Sequence, residues 1–339
     1  MTTYTKIGGS WADVDSIHAR VGGSWKGVTE GYTKVSGAWK QFYASIIEFP
    51  VEYLVIAGGG GGGTDSGTGA AGAGGAGGYR SSVVGELSGA NSIAEGLLTL
   101  LSGTALTVSV GAGGAVLTQG GSSSFGSITS LGGGNGANNT NTLPASNGGS
   151  GGGNGRVGVA SGAGTAGQGF DGGSSSSGYA AASGGGGAYG PGFSAGVAGS
   201  PPDGGLPYSS SITGTSVARA GGGGGATHQQ LADSFATIGQ VSGGGGLASA
   251  ASSGAYGSGI YDYGNAQPGT VNTGGGGGGF AGLQVNRSGG TGGSGIVIIR
   301  YPDSLPPITT VGAGLTYNTS SSGGYRIYQF TAGSGTITF

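Results

Sequence analysis

Cysteine is absent from the chain, charge is scarce, and no apolar run is long, and each absence removes a class of protein. Without cysteine there is no disulfide framework, no thiolate metal site and no thiol nucleophile. The redox compartment stays open, because a cysteine-free chain folds in a reducing cytosol and works equally well outside it. Lys and Arg together number 11 and Asp and Glu 13, or 7% of the residues, against roughly a quarter in ordinary domains. With a net charge of -2 and no Lys beyond Lys40, no basic stripe exists to follow a phosphate backbone, so nucleic acid is not an expected partner. No uninterrupted apolar segment approaches the roughly 18 residues of a membrane span, and the opening MTTYTKIGG lacks a signal peptide's apolar region, so signal-directed secretion is not expected.

Chemistry is equally thin. His18 falls inside a repeat, and His228 is the one candidate base, with no motif around it. A P-loop needs Gly-Lys-Ser/Thr, which the lysine distribution forbids, and Gly-x-Gly-x-x-Gly arises by chance roughly seven times at this glycine content. The reading is therefore not an enzyme, with no cofactor and no metal site. Calcium is the one ion that composition leaves open, yet Asp65, Asp171, Asp203, Asp233 and Asp262 are isolated, and nothing resembles an acidic calcium-binding nonapeptide.

What the chain does have is glycine, 92 of 339 residues. Glycine buries no side chain and loses the most backbone entropy on ordering, so disorder is the default for such a composition. An ordered form must draw on the backbone donor and acceptor that every glycine keeps. Collagen is excluded by irregular glycine spacing and only 10 Pro. Two architectures are left: laterally hydrogen-bonded polyglycine II, a three-residue-per-turn extended helix, and short β-strands with glycine at turns and bulges. The expected fold class is all-β with polyglycine II, mixing the two.

The clearest internal signal is a 14-residue repeat: Trp11, Trp25 and Trp39, each preceded by a small pair, Gly9-Ser10, Gly23-Ser24 and Gly37-Ala38. The register extends through Tyr4, His18 and Tyr32, through Lys6, Arg20 and Lys34, and through Ile7, Val21 and Val35. An alternating stretch, a small-residue turn and a second alternating stretch predict a β-hairpin per copy. A lone hairpin is marginal in water, so the three are expected to pack as a meander or against other copies, with the tryptophans anchoring and oligomerising.

A β-branched run, Val51 to Ala57, enters the glycines 58 to 63, and Ile296-Val297-Ile298-Ile299-Arg300-Tyr301 leaves the last glycine-rich stretch. Both read as buried strands that pair or lie side by side. Glycine runs recur at 58 to 63, 132 to 136, 148 to 155, 184 to 187, 221 to 225, 243 to 246 and 274 to 279. As extended rods at about 3.1 Å per residue, a six-residue run spans roughly 19 Å. Leu106 to Gly111 reads as a further strand, and Ser92 to Leu101 as a short helix with a Ser92/Glu95 capping box. Tyr325 to Phe330 and Thr336 to Phe339, around Gly333-Ser334-Gly335, read as the two arms of a hairpin. The division is thus residues 1–48 (hairpin repeats), 49–301 (glycine-rich body with variable loops) and 302–339 (C-terminal β-hairpin cap).

The order YLVIAGGGGGG, AGGAGGYR, VSVGAGG, GGSSSFGS, TGGGGGGF and GGSGIVIIRY resembles the glycine-rich domain of bacteriophage tail and other virion proteins, over residues 51 to 301. The repeats VGGSWKGV and VSGAWKQF resemble short modules of phage structural proteins. A looser similarity is to long-tail-fibre tip adhesins, in which glycine motifs form a polyglycine II sandwich and the segments between them touch the host. The resemblance implies a virion structural protein, with a tail-fibre or appendage adhesin, exposed on the particle after assembly in the host cytoplasm, as the leading reading. Its implied partners are other virion proteins through the repeats and a host surface receptor, a polysaccharide or an outer-membrane protein. Receptor contacts would then come from aromatics between the glycine runs: Tyr189, Phe193, Tyr208, His228, Phe235, Tyr256, Tyr261 and Tyr263. Tyrosine offers contact area and a hydroxyl at low entropic cost, and Tyr256 to Tyr263 is the densest segment. Exposed hairpin edges favour a homo-oligomer, with a trimer the leading expectation. The rival readings are a capsid decoration or head-fibre protein without receptor binding and, more remotely, an ice-binding protein.

Overall fold

The computed structural model describes residues 4–7, 10–13, 17–21, 24–28, 30–36, 38–44, 46–64, 69–139, 142–156, 160–175, 181–195, 202–226, 244–245, 266–281 and 288–339. Each N-terminal repeat is an antiparallel hairpin: β1 (Tyr4–Ile7) with β2 (Ser10–Asp13), β3 (Ile17–Val21) with β4 (Ser24–Val28), and β5 (Glu30–Val35) with β6 (Ala38–Ala44). The register repeats as faithfully as the sequence, setting Lys6 opposite Trp11, Arg20 opposite Trp25 and Lys34 opposite Trp39. Ser36 takes the left-handed φ of 52° that a two-residue hairpin turn demands. The expected meander does not form among the described residues: the hairpins are three separate two-stranded sheets, and Trp39 is 70% exposed. Among the described residues no further strand pairs with the edges of these hairpins.

The rest is built on β7 (Glu48–Ile56), β8 (Tyr79–Ser81), β9 (Leu98–Leu101), β10 (Ala105–Ser109), β11 (Ser123–Phe125) and β12 (Ile128–Ser130). They are followed by β13 (Tyr208–Ser210), β14 (Val217–Arg219), β15 (Ile296–Pro302), β16 (Thr310–Val311), β17 (Leu315–Ser322) and β18 (Tyr325–Thr338). The fold is all-β. Apart from the hairpins, including β13–β14, these strands make one ten-stranded, nearly closed sheet, in the central order β12-β11-β10-β18-β15-β7-β8. The paired strands foreseen at the two ends of the glycine-rich body are real neighbours, Ile296 to Arg300 lying antiparallel to Glu52 to Ile56.

Both faces of β7 and β15 are covered, which is why their sequences run apolar without alternation. One face carries Phe49, Val51, Tyr53, Val55, Val297, Ile299 and Tyr301 into a core closed by Tyr328, Phe330 and Phe339. The other carries Leu54, Ile56, Ile296 and Ile298 against Ala76, Tyr79, Ala188 and Ala220 of the glycine-rich segments.

Two expectations are corrected. Ser92 to Leu101 is not a helix: a single 3-10 turn, Gly89–Asn91, precedes Ser92, and Leu98–Leu101 pairs with Glu48–Val51 at the edge of the sheet. Glu95 does not cap Ser92 but takes Arg80 and Tyr53. Nor are Tyr325–Phe330 and Thr336–Phe339 the arms of one hairpin. β18 runs straight through Gly333-Ser334-Gly335, pairs with β15 and β17 in its first half, and with β10 and β16 in its second. Gly333, at φ 89°, bends the strand from one set of partners to the next, and the true hairpin turn is Gly323-Gly324.

The glycine segments interlock by backbone alone. Along residues 58 to 63, Gly58 and Gly61 donate to Gly121 and Thr118, Gly59 and Gly62 to Gly293 and Gly290, and Gly60 and Gly63 to Gly75 and Gly72. The carbonyls of Gly58 and Gly61 accept from Gly133 and Gly136, those of Gly59 and Gly62 from Gly114 and Leu117, and that of Gly60 from Gly277. A β-strand alternates between two neighbours. Here successive residues turn to a different neighbour and return every third residue. Residues 72 to 78 repeat the rule, with Gly72, Gly75 and Gly78 donating to Ala137, Gly134 and Leu131. At many of these glycines the spacing leaves no room for a side chain. A Cβ on Gly60 would stand 2.1 Å from the Gly134 carbonyl oxygen, and one on Gly74 would stand 2.0 Å from that of Gly60.

Candidate ligand-binding surface

Two loop-borne segments meet at one end of this bundle. The chain doubles back at Gly187–Gly190, where the Gly187 amide donates to the Gly190 carbonyl, and Tyr189 projects from the turn with 46% of its surface exposed. The Tyr189 amide donates to the Leu206 carbonyl, which brings Leu206, 45% exposed, beside it. Directly after Leu206, β13 and β14 form a hairpin whose register sets Tyr208 opposite Arg219, so both lie on the same face. Tyr208 is half-buried between two rings: Tyr79 below, at 5.5 Å and 41°, and Tyr189 above, at 5.5 Å and 73°. Tyr79 is fully buried on β8, so the sheet holds the inner end of this stack.

The polar groups behind the rings are under-satisfied. Arg219 is 6% exposed, and among the described residues its side chain makes one hydrogen bond, a long 3.5 Å contact to the Val217 carbonyl. Among the described residues, no carboxylate comes within ion-pair distance of it. Burial depresses its guanidinium pKa, against the opposing pull of Tyr79 and Glu86. One oxygen of Glu86 accepts from the Ser211 amide and hydroxyl, both at 2.7 Å, while the other is buried without a donor. Burial raises the Tyr208 phenol pKa, and nearby Tyr189 and Glu86 add to the shift. Tyr79 is raised further by deeper burial, with Glu86 again contributing.

Of the aromatics singled out from sequence, Tyr189 and Tyr208 are thus brought into contact. Phe193 is 52% exposed on the segment after the turn, its amide donating to the Asp203 carbonyl, and makes no ring contact with them. His228, Phe235, Tyr256, Tyr261 and Tyr263 lie outside the described residues. Trp11 and Trp25 sit in strands β2 and β4, and their side chains also fall outside the description. Sequence reasoning missed Arg219, Glu86, Leu206 and Tyr79. A signal for Arg219 was present, since Tyr208 to Arg219 is a Ser/Thr-rich stretch with Ile212, Val217 and a central Gly214, the form of two short strands around a turn that pairs its two ends.

Two other charged clusters are structural. Arg80 grips Glu95 with two bonds, at 2.7 and 2.6 Å, and Glu95 also accepts from the Tyr53 hydroxyl at 2.7 Å. Arg300 pairs with Glu52 across the β7–β15 ladder, and its guanidinium lies 4.5 Å from the Tyr325 ring centroid. Among the described residues, no cluster of His, Asp and Glu is fit to hold a metal ion, and no helix is long and apolar enough to cross a membrane.

The bundle is also where the chain meets known proteins: a family model described as a glycine-rich domain matches residues 45–302. The chain belongs to that glycine-rich domain family. The match opens just before β7 and closes with the end of β15, so the glycine-rich domain begins and ends on the strand pair that seats the bundle on the sheet. β18, which lies outside the matched span, is nevertheless an inner strand of the sheet beneath the glycine-rich domain. No curated protein and no solved structure matches the chain.

Proposed function

We propose that this glycine-rich domain protein is a bacteriophage virion protein, an adhesin of a tail fibre or related appendage that grips the host surface through loops between its glycine rods. The observation that supports it most directly is the placement of Tyr189, Leu206 and Tyr208. Tyr189 and Leu206 stand exposed on loops and Tyr208 half-exposed on a short hairpin beside them, while the neighbouring backbone is pinned into a bundle that carries few side chains larger than a methyl. Exposed aromatics on a rigid support bind with little ordering cost. The order of glycine-rich motifs and the phage-like Trp repeats supply the virion context, and Trp39, open to solvent on a hairpin that pairs with no other strand among the described residues, supplies a docking element toward other virion proteins.

Adsorption competition tests this reading. Purified protein added to susceptible bacteria blocks adsorption of the phage that carries it, and the Tyr189→Ala, Tyr208→Ala variant blocks at least tenfold less well while keeping its circular dichroism. Failure of the wild-type protein, in its native oligomer, either to bind cells or to compete would overturn the adhesin reading.

A further inference from the structure

The Tyr189–Tyr208 surface has a chemical preference written into the groups behind it. Arg219, 6% exposed, makes one long backbone contact from its guanidinium among the described residues, and Glu86 holds a buried oxygen with no donor. A buried group left in that condition is costly and calls for a partner. The two lie close enough to influence each other's charge but do not form an ion pair. One kind of group satisfies both, a hydroxyl, which accepts from a guanidinium and donates to a carboxylate. Beside them the exposed ring of Tyr189, the half-buried ring of Tyr208 and the Leu206 side chain offer an apolar platform.

We propose that this surface is a subsite for one pyranose ring of a neutral polysaccharide. It rests on the adhesin reading for its biological setting, though not for its chemistry. The sugar's C–H face lies on Tyr189 and Leu206, and a vicinal pair of hydroxyls bridges Arg219 and Glu86. Arg219 is reached through the small part of its surface left exposed. Glu86 is half-exposed and meets the second hydroxyl by turning its free oxygen toward the rim. The charges select the sugar class. A guanidinium and a carboxylate within electrostatic reach of each other sum to no net charge, and the Glu86 carboxylate repels a uronic acid that Arg219 alone would attract. A neutral hexose is therefore the occupant, not an acidic one.

The test uses the full chain with defined probes: neutral hexose oligosaccharides and size-matched uronic-acid oligosaccharides, read by saturation-transfer NMR and titration. Neutral probes bind, and Tyr189→Ala, at an exposed position where folding is not at stake, weakens them at least tenfold. Glu86→Gln, which keeps shape and loses charge, narrows the preference for neutral over uronic probes, whereas Phe193→Ala leaves binding within a factor of two. Stronger binding of the uronic probes, or binding of neutral probes untouched by Tyr189→Ala, would overturn the subsite. The adhesin reading fails separately: neutral probes that bind in a Tyr189-dependent way, by a protein that does not bind cells, uphold the subsite and reject adhesion. Cell binding with no oligosaccharide bound rejects the subsite and keeps adhesion.

Discussion

At the scale of single residues, glycine is required in this molecule mainly for its width. Gly74 has no positive φ, yet an added Cβ would stand 2.0 Å from the Gly60 carbonyl oxygen and 3.1 Å from the Gly277 nitrogen. Nothing there is a flexible side-chain tip, so two rods must move apart and lengthen the bond from Gly74 to Gly277, now 2.8 Å. Gly74→Ala is expected to destabilise the fold by about 3 kcal/mol, the upper end for overpacking. The control is Gly96, which has open space around its Cβ direction and no positive φ. There alanine removes freedom from the unfolded chain only, and a gain of about 0.5 kcal/mol is expected. Urea unfolding of the two variants decides the matter: equal effects would mean that the rods are not closely packed. The naturally occurring Ala73 and Ala76, fully buried in the same rod, mark the phases at which a methyl group does fit.

At the scale of elements, the pairing of β7 with β15 was legible because two β-branched runs, apolar on both faces, had to find a doubly covered position in a sheet. The course of β18 was not. Gly333-Ser334-Gly335 looks like a turn in sequence, and only the partners on either side, β15 and β17 before it and β10 and β16 after it, reveal a bend in a continuous strand. Leu98–Leu101 misled for a related reason, since a short leucine-rich run after a Ser-x-x-Glu signal satisfies a helix start and an edge strand equally. The β7–β15 register also places Arg300 opposite Glu52, which is 6% exposed and accepts from the Val84 amide as well. Removing the cation strands a buried carboxylate, so Arg300→Met is expected to cost about 3 kcal/mol. The double variant with Glu52→Leu should recover part of that loss, because it removes the stranded charge as well. A double variant less stable than Arg300→Met alone would show that packing against Tyr325, not charge, is what Arg300 supplies.

At the scale of the whole molecule, the sheet separates an aromatic core on one face from the glycine bundle on the other, and the candidate site depends on that arrangement. Tyr189 and Tyr208 were singled out in the sequence as aromatics between glycine runs, though Tyr208 proves half-buried on a strand. Their contact was not readable, because it follows from the lateral register of Tyr189 on Leu206 and from the Tyr208–Arg219 pairing, neither of which leaves a periodic mark in the chain. The same layering buries tyrosines on both sides of the sheet, Tyr53 and Tyr301 in the aromatic core and Tyr79 under the bundle. Burial first, then the neighbouring Glu95, Glu86 or Tyr328, pushes all three phenols well above their ordinary value of 10.0. A raised phenol pKa means that the fold favours the neutral form. The resulting stability is fully present below the unfolded value and is lost as pH rises from there through the folded values. The molecule is therefore expected to hold its circular dichroism to about pH 10 and then unfold cooperatively in alkali. Exposed tyrosines ionise first in phenolate absorbance, and the buried ones ionise together with the loss of dichroism. A single phenolate transition near the ordinary value, with the dichroism intact beyond it, would mean that the phenols are reached by solvent and that the two faces of the sheet are not sealed as described.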